Sequence, residues 1–363
     1  MRRSILFTWL LIMMILAASC DKIDPIFSGP RHIRCTVGVL ETRSLPISTT
    51  GINSITKYGF VMEAYADSAY HDNKTDIDYD AGKYFTETVT YSSSEGWSIS
   101  NDPVWLNGVN LRFFCWSPLD SGLKGSRSIT NASVKSDTLR FSYTANSGYT
   151  SETTEDLIFS YNAQTVKYDE SGSKTSGDEK VSIEFSHALS QIRFCLSTDD
   201  GTYDKSLKLV SVKFKSEPVG GNCIFKGTGT VAANTMFTWT PSSSTADFTQ
   251  TFNAEFGKLD ASSSEIVPTD WVKGSYSKNS TTYNLYTCTG DVMFLVPQKN
   301  FTDKEIEVTF QKGTATPVTL TASLPDDTWV AGKYYTYKIK ALKTLSLTLL
   351  ASDWVKAGED LEF

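Results

Sequence analysis

Apolar and polar residues alternate with a period of two along most of this chain, in short runs separated by turn-forming residues. In "HIRCTVGVL" (residues 32–40) Ile33, Cys35, Val37 and Val39 share one face, the spacing of a half-buried strand. "VNLRFFCW" (109–116), "KVSIEFSHALSQIRFCLS" (180–197), "LKLVSVKFK" (207–215), "DVMFLVP" (291–297), "EIEVTF" (305–310) and "KYYTYKIKAL" (333–342) read the same way. Almost nothing keeps a 3.6-residue period. Their regular spacing predicts antiparallel β-sandwiches rather than βαβ units. The polar stretch "KYDESGSKTSGDEK" (167–180) interrupts the pattern near the middle. It reads as a long hairpin loop or an interdomain linker, which puts a domain boundary near residue 180.

The N-terminus follows a different rule. Arg2 and Arg3 precede a nearly unbroken apolar segment over residues 5–18, the layout of a secretory signal peptide. That segment is shorter than the ~20 residues a membrane-spanning helix needs. Leu16, Ala17, Ala18 and Ser19 then lead directly into Cys20. This resembles the lipobox of bacterial lipoproteins, in which the cysteine is acylated and the chain is cut before it. The expected division is a signal peptide over 1–19, a tether carrying the first strand over 20–43, and β-sandwich domains over 44–180 and 181–363. More than one acyl chain holds a protein stably on a membrane, since each buried CH₂ adds roughly 0.8 kcal/mol.

Composition narrows the chemistry. The chain has 363 residues, 40% of them hydrophobic and 12% aromatic, enough for substantial cores, and a net charge of −7 with no basic patch. A nucleic-acid partner is therefore not expected. Beyond Cys20, the cysteines are Cys35, Cys115, Cys195, Cys223 and Cys288. Their odd number and lack of CxxC spacing read as buried small hydrophobes, with one bridge left open. Only His32, His71 and His187 exist, with no metal-ligand pairing, and "FSHALSQ" suggests that His187 is a hydrogen-bonded histidine at a sheet turn. No nucleophile elbow, P-loop or dinucleotide fingerprint appears, so neither catalysis nor a cofactor is expected. Asp76, Asp78, Asp80 and Glu87 do fall at calcium-loop intervals. Ala81 stands where that loop needs glycine, however, and a strand-like run follows, so a solvated acidic loop is the preferred reading.

A series of words in fixed order carries more. "ETRSLPI" (41–47) is followed by "INSITKYGFVMEAY" (52–65), "GWSISNDPVWLNGVNLRFFCWSPLD" (96–120) and "EDLIFSYN" (155–162). "VSIEFSHALSQIRFCL" (181–196), "VMFLVPQ" (292–298), "WVAGKYYTYKIKAL" (329–342) and "ASDWVKAGEDLEF" (351–363) complete the series. This order resembles the fimbrillin family of Bacteroidales lipoproteins, the subunits of type V pili and their relatives, across essentially the whole mature chain.

The resemblance implies two tandem transthyretin-like sandwiches, exported as a lipoprotein. It also implies an arginine-specific cut that removes an N-terminal segment with the first strand, and a neighbouring subunit whose strand fills the groove so opened. An unpaired strand position exposes backbone donors and apolar pockets that a supplied strand satisfies together. Each subunit filling the next makes a contact that need not close, hence a fibre.

On this chain the implied cut falls at Arg43, with Arg31 and Arg34 as weaker sites that leave most of the strand in place. Arg43 as a solvated turn residue before Pro46 is the alternative. Leu345, Leu347 and Leu349 alternate with Thr344, Ser346 and Thr348, so they form either a donated strand or the last strand of their own domain. Expected partners are other pilus subunits, the outer membrane through the lipid, and host or bacterial surface ligands. The alternative function is a monomeric glycan-binding lipoprotein or adhesin, in which Trp97, Trp105 or Trp271 stacks on sugars unless they are buried between sheets.

Overall fold

A computed structural model describes residues 31–37, 59–66, 82–117, 128–135, 137–151, 153–169, 172–197, 207–229, 235–255, 271–278, 280–288, 292–299, 304–324, 328–341 and 345–353. Among the described residues every regular element is a strand. In the N-terminal half these are β1 (Arg34–Val37), β2 (Phe60–Ala66), β3 (Lys83–Ser92), β4 (Gly96–Ile99), β5 (Asn110–Ser117), β6 (Ser128–Lys135), β7 (Thr138–Thr144), β8 (Ile158–Thr165), β9 (Lys167–Tyr168) and β10 (Lys174–Ser176). Next come β11 (Lys180–Ile183), β12 (Ser186–His187), β13 (Ser190–Ser197), β14 (Leu207–Pro218), β15 (Gly220–Lys226), β16 (Phe237–Pro241) and β17 (Thr245–Glu255). The chain continues through β18 (Trp271–Lys278), β19 (Thr281–Cys288), β20 (Met293–Leu295), β21 (Glu305–Lys312), β22 (Val318–Ser323), β23 (Lys333–Ala341) and β24 (Leu345–Asp353). The all-β class is thus as the alternation predicted.

The central N-terminal sheet runs β12-β8-β5-β2-β3-β4, and both of its faces are covered. Phe60, Met62, Ala64, Leu111, Phe113 and Cys115 face one core, which Ile33, Val181 and Ile183 complete. Tyr65, Phe114, Trp116 and Phe159 face the other, against Leu139, Phe141, Phe225 and Phe237. Successive strand residues point to opposite faces, so a strand buried on both sides reads as the unbroken run "FFCW". The second core is rich in aromatic pairs, with Phe141 stacked on Phe159 at 4.5 Å and Phe225 on Phe237 at 5.0 Å.

The sheet facing Phe159 runs β16-β15-β7-β6, so it joins strands from both sides of residue 180. β14 bends at Val219 into β15, and β16 bends at 242–244 into β17, making one long ribbon. Its far half belongs to the sheet β17-β14-β21-β22. That sheet packs on β18-β19-β13-β23-β24, with Phe194 beside Phe214 at 5.9 Å and Trp329 edge-on to Phe214 at 5.5 Å. Gly220 is required where the ribbon meets β7: a Cβ there would lie 2.1 Å from the Tyr143 carbonyl oxygen.

Among the described strands two pairings are parallel, β1 on β11 and β13 on β23. Both join strands far apart in sequence, as a crossover requires. The polar stretch 167–180 holds a small hairpin, β9 on β10. The word spanning 180–197 divides into β11, β12 and β13, because each piece joins a different sheet.

At the end of β14, Glu217 is 1% exposed. Its Oε2 accepts a hydrogen bond from the Gln298 amide and lies 3.6 Å from Lys304 Nζ, while Oε1 has no partner among the described residues. Burial pushes its carboxyl above the ordinary 4.5, although Gln298 and Lys304 oppose the shift. The sign follows: a folded-state value above the unfolded one makes the charged form a cost, full above the folded value and absent below the unfolded one. Glu217→Gln is expected to stabilise by roughly 1 kcal/mol at pH 8. In thermal melts the gain should shrink as pH falls toward the ordinary glutamate value.

Candidate functional site: the first strand and its slot

β1 lies in a slot at the edge of the N-terminal core. Ile33 is fully buried and Cys35 is 8% exposed, the inward positions of the alternation. On one side the backbone pairs in parallel with β11, from Arg34 opposite Lys180 to Val37 opposite Ile183. On the other, the Ile33 N–H donates to the Pro103 carbonyl at 2.7 Å, and the Trp105 N–H donates to that of Arg31 at 2.8 Å. Trp105 forms the floor. Its ring meets Phe113 edge-on at 5.7 Å, and its indole N–H donates to the Glu179 carbonyl at 3.2 Å.

Charged residues hold the strand at its outer face. Asn101 and Asp102 adopt left-handed φ values of 54° and 47°, which asparagine and aspartate tolerate better than most residues. This bend after β4 brings the Asp102 carboxylate onto the Arg34 guanidinium and within 2.9 Å of His32 Nδ1. The hydrogen bond from Arg34 holds the Asp102 carboxyl below its ordinary value. Arg31 donates to the Gly172 carbonyl and stacks over Tyr168, 5.3 Å from the ring centroid. Both arginines in the strand region are therefore engaged by the body of the protein.

The thiols here are packing groups. Burial pushes Cys35 up to about 12, against a smaller opposing effect of Arg34. Burial first, and the neighbouring Cys35 second, raise Cys115 well above its ordinary value. Thiols so shifted stay protonated and unreactive. All five described cysteines are buried and unbridged.

Cys20, Arg43, Asp76, Asp78 and Asp80 lie outside the described residues. Glu87 is described, and its carboxylate accepts from Ser100 and from the Asn101 amide at 3.0 Å. Leu345, Leu347 and Leu349 belong to β24, at the end of its own sheet, where they pair with Ala341, Ile339 and Tyr337 of β23. His187 is 7% exposed, with Nδ1 2.7 Å from Asp156 Oδ2, matching the hydrogen-bonded reading. Trp105 and Trp271 are buried, while Trp97 is half-buried between Tyr91 and Phe60. The slot residues Asp102, Val181 and Ile183 have no site signal in the sequence, and Trp105, a candidate sugar-stacking residue there, is instead buried as the floor of the slot. The signal available was the strand itself, whose apolar face required an equally apolar slot.

The geometry defines an all-β protein whose β1 is seated at the edge of the N-terminal core, paired with β11 and hydrogen-bonded to Pro103 and Trp105. Matched to known families, residues 62–354 fit the fimbrillin-like model. The chain belongs to the fimbrillin-like family. No curated protein matches it. Among solved structures it is similar to a candidate cell adhesion protein of Bacteroides uniformis, at 11% identity over 89% of this chain and 98% of that one, with a TM-score of 0.46. A candidate cell adhesion protein of Bacteroides ovatus shares 14% identity over 90% and 98%, with a TM-score of 0.45. The fimbrial anchor protein Mfa2 of Porphyromonas gingivalis shares 10% over 90% and 98%, with a TM-score of 0.34.

Proposed function

We propose that this protein is a pilus subunit that reaches the surface lipidated at Cys20, loses that anchor when trimmed at Arg43, and assembles by accepting a neighbour's strand in the slot of β1. Family membership supports the pilus role. The observation that carries the exchange mechanism is the seating of β1. Two backbone edges and an apolar floor hold it, and its departure leaves the β11 edge, the Pro103 carbonyl and the Trp105 N–H without partners. Such an edge is a template for another strand. The insert from the neighbour is β24, an edge strand with alternating leucines that leaves its pairing with β23 when donated.

Cys115 provides the test, because it lies beside Cys35 under β1. In the chain starting at Cys20 it should resist a maleimide. After cleavage at Arg43 it should react, while Cys195 and Cys223, buried elsewhere, stay protected. Assembly should protect it again. A trimmed monomer that keeps Cys115 unreactive contradicts the proposal, and labelling of every cysteine means unfolding rather than an opened slot.

A further inference from the structure

A cleft of about 380 Å³ opens where the shared ribbon meets two loops of the C-terminal sandwich. Trp239 and Pro241 of the ribbon line it together with Pro297, Lys299 and Thr328 from the two loops. Concave sites with an apolar wall and a few convergent polar groups, placed between structural units, are typical of small-ligand binding.

Trp239 is fixed before any ligand arrives. Its indole N–H donates to the Ala188 carbonyl at 2.8 Å, and its ring packs edge-on to Phe141 at 5.8 Å and Tyr143 at 6.1 Å. The ring is half-buried, so part of it faces the cleft. A rigid aromatic surface beside prolines suits the C–H face of a pyranose, and a preset ring avoids an ordering cost on binding.

Lys299 sets the charge of the ligand. Its side chain is exposed at the rim, and no carboxylate among the described residues pairs with it. An ammonium beside a cleft walled by tryptophan and proline favours a sugar that carries a carboxylate.

We infer that this cleft binds carboxylated saccharides, with the ring on Trp239 and Pro241 and the carboxylate at Lys299. This site lies apart from the β1 slot and does not depend on strand exchange.

The test uses the full mature chain with sialyllactose, digalacturonate, lactose and sodium acetate as probes, followed by calorimetry and saturation-transfer NMR. At least one acidic sugar should bind saturably and more tightly than lactose, and acetate should not displace it at equal concentration. Lys299→Gln, at an exposed position, should weaken acidic-sugar binding about tenfold and leave lactose unchanged. Trp239→Phe should weaken both kinds of sugar. The proposal is overturned if neither acidic sugar binds, if lactose binds as well as they do, if Lys299→Gln binds like the wild type, or if acetate competes equally. The last result would mark a bare cation. Should Trp239→Phe misfold, Lys299→Gln still decides.

Discussion

A chain that begins at Ser44 is expected to melt well below one that begins at Cys20 and, when concentrated, to form detergent-resistant oligomers. Among the described residues, the loss comes from the segment 31–37 that carries β1. It buries Ile33 and Cys35 completely or nearly so, and apolar burial contributes about 1.5–3 kcal/mol for a large side chain. Its edge hydrogen bonds to β11, Pro103 and Trp105 add roughly 1 kcal/mol each at most. A total on the order of 5 kcal/mol corresponds to a fall in Tm of roughly 10 °C. Calorimetry of both chains measures it. The oligomers should recover the lost stability, because a supplied strand restores both the backbone pairs and the apolar contacts. Leu347→Asp should abolish the oligomers while leaving Cys115 reactive after trimming. Equal melting temperatures for the two starting chains would mean that β1 is dispensable to the fold.

Gly220→Ala is expected to destabilise the protein by roughly 3 kcal/mol or more, and to act at the junction rather than in either flanking sheet. The added Cβ would stand 2.1 Å from the Tyr143 carbonyl oxygen and 2.9 Å from Thr144 Cα. Both are backbone atoms, so no side-chain rotation relieves the clash. β7 and β15 would have to move apart, and with them the aromatic contacts of Phe141 and Phe225 to Phe159. Hydrogen exchange should show protection lost first along β7 and β15, with β13 and β23 retained. Urea unfolding gives the magnitude. An unchanged midpoint would show that the shared sheet does not tie the halves together.

Much of this was legible in the alternation of residues, and the reasons for the remainder are physical. Ile33, Cys35 and Val37 declare a strand with one apolar face, and β1 is that strand. What it pairs with is not legible, because a parallel partner at Val181 and Ile183 leaves no turn signal near either strand. "FFCW" reads as apolar throughout, but only the fold separates Phe113 and Cys115 from Phe114 and Trp116 onto two cores. Gly220 and Gly221, like the serines at 242–244, look like ordinary punctuation between strands. They mark instead the bends where one ribbon passes from sheet to sheet, a long-range pairing that local propensity cannot encode. Asp102 looked like one more loop carboxylate in "SNDPV". Its role depends on the left-handed turn that aims it at Arg34. Trp239, in "FTWTP", carried the alternation of an ordinary strand, and its opening onto the cleft depends on Pro297 and Lys299 approaching from elsewhere in the chain.

The most direct test of strand exchange is N-terminal sequencing and intact mass of the protein taken from its own cell surface, separated into monomer and high-mass ladders. Ladders whose subunits start at Ser44 and carry no lipid are the predicted result. Ladders built throughout from subunits that start at lipidated Cys20 would contradict it, since every slot would then still hold its own β1.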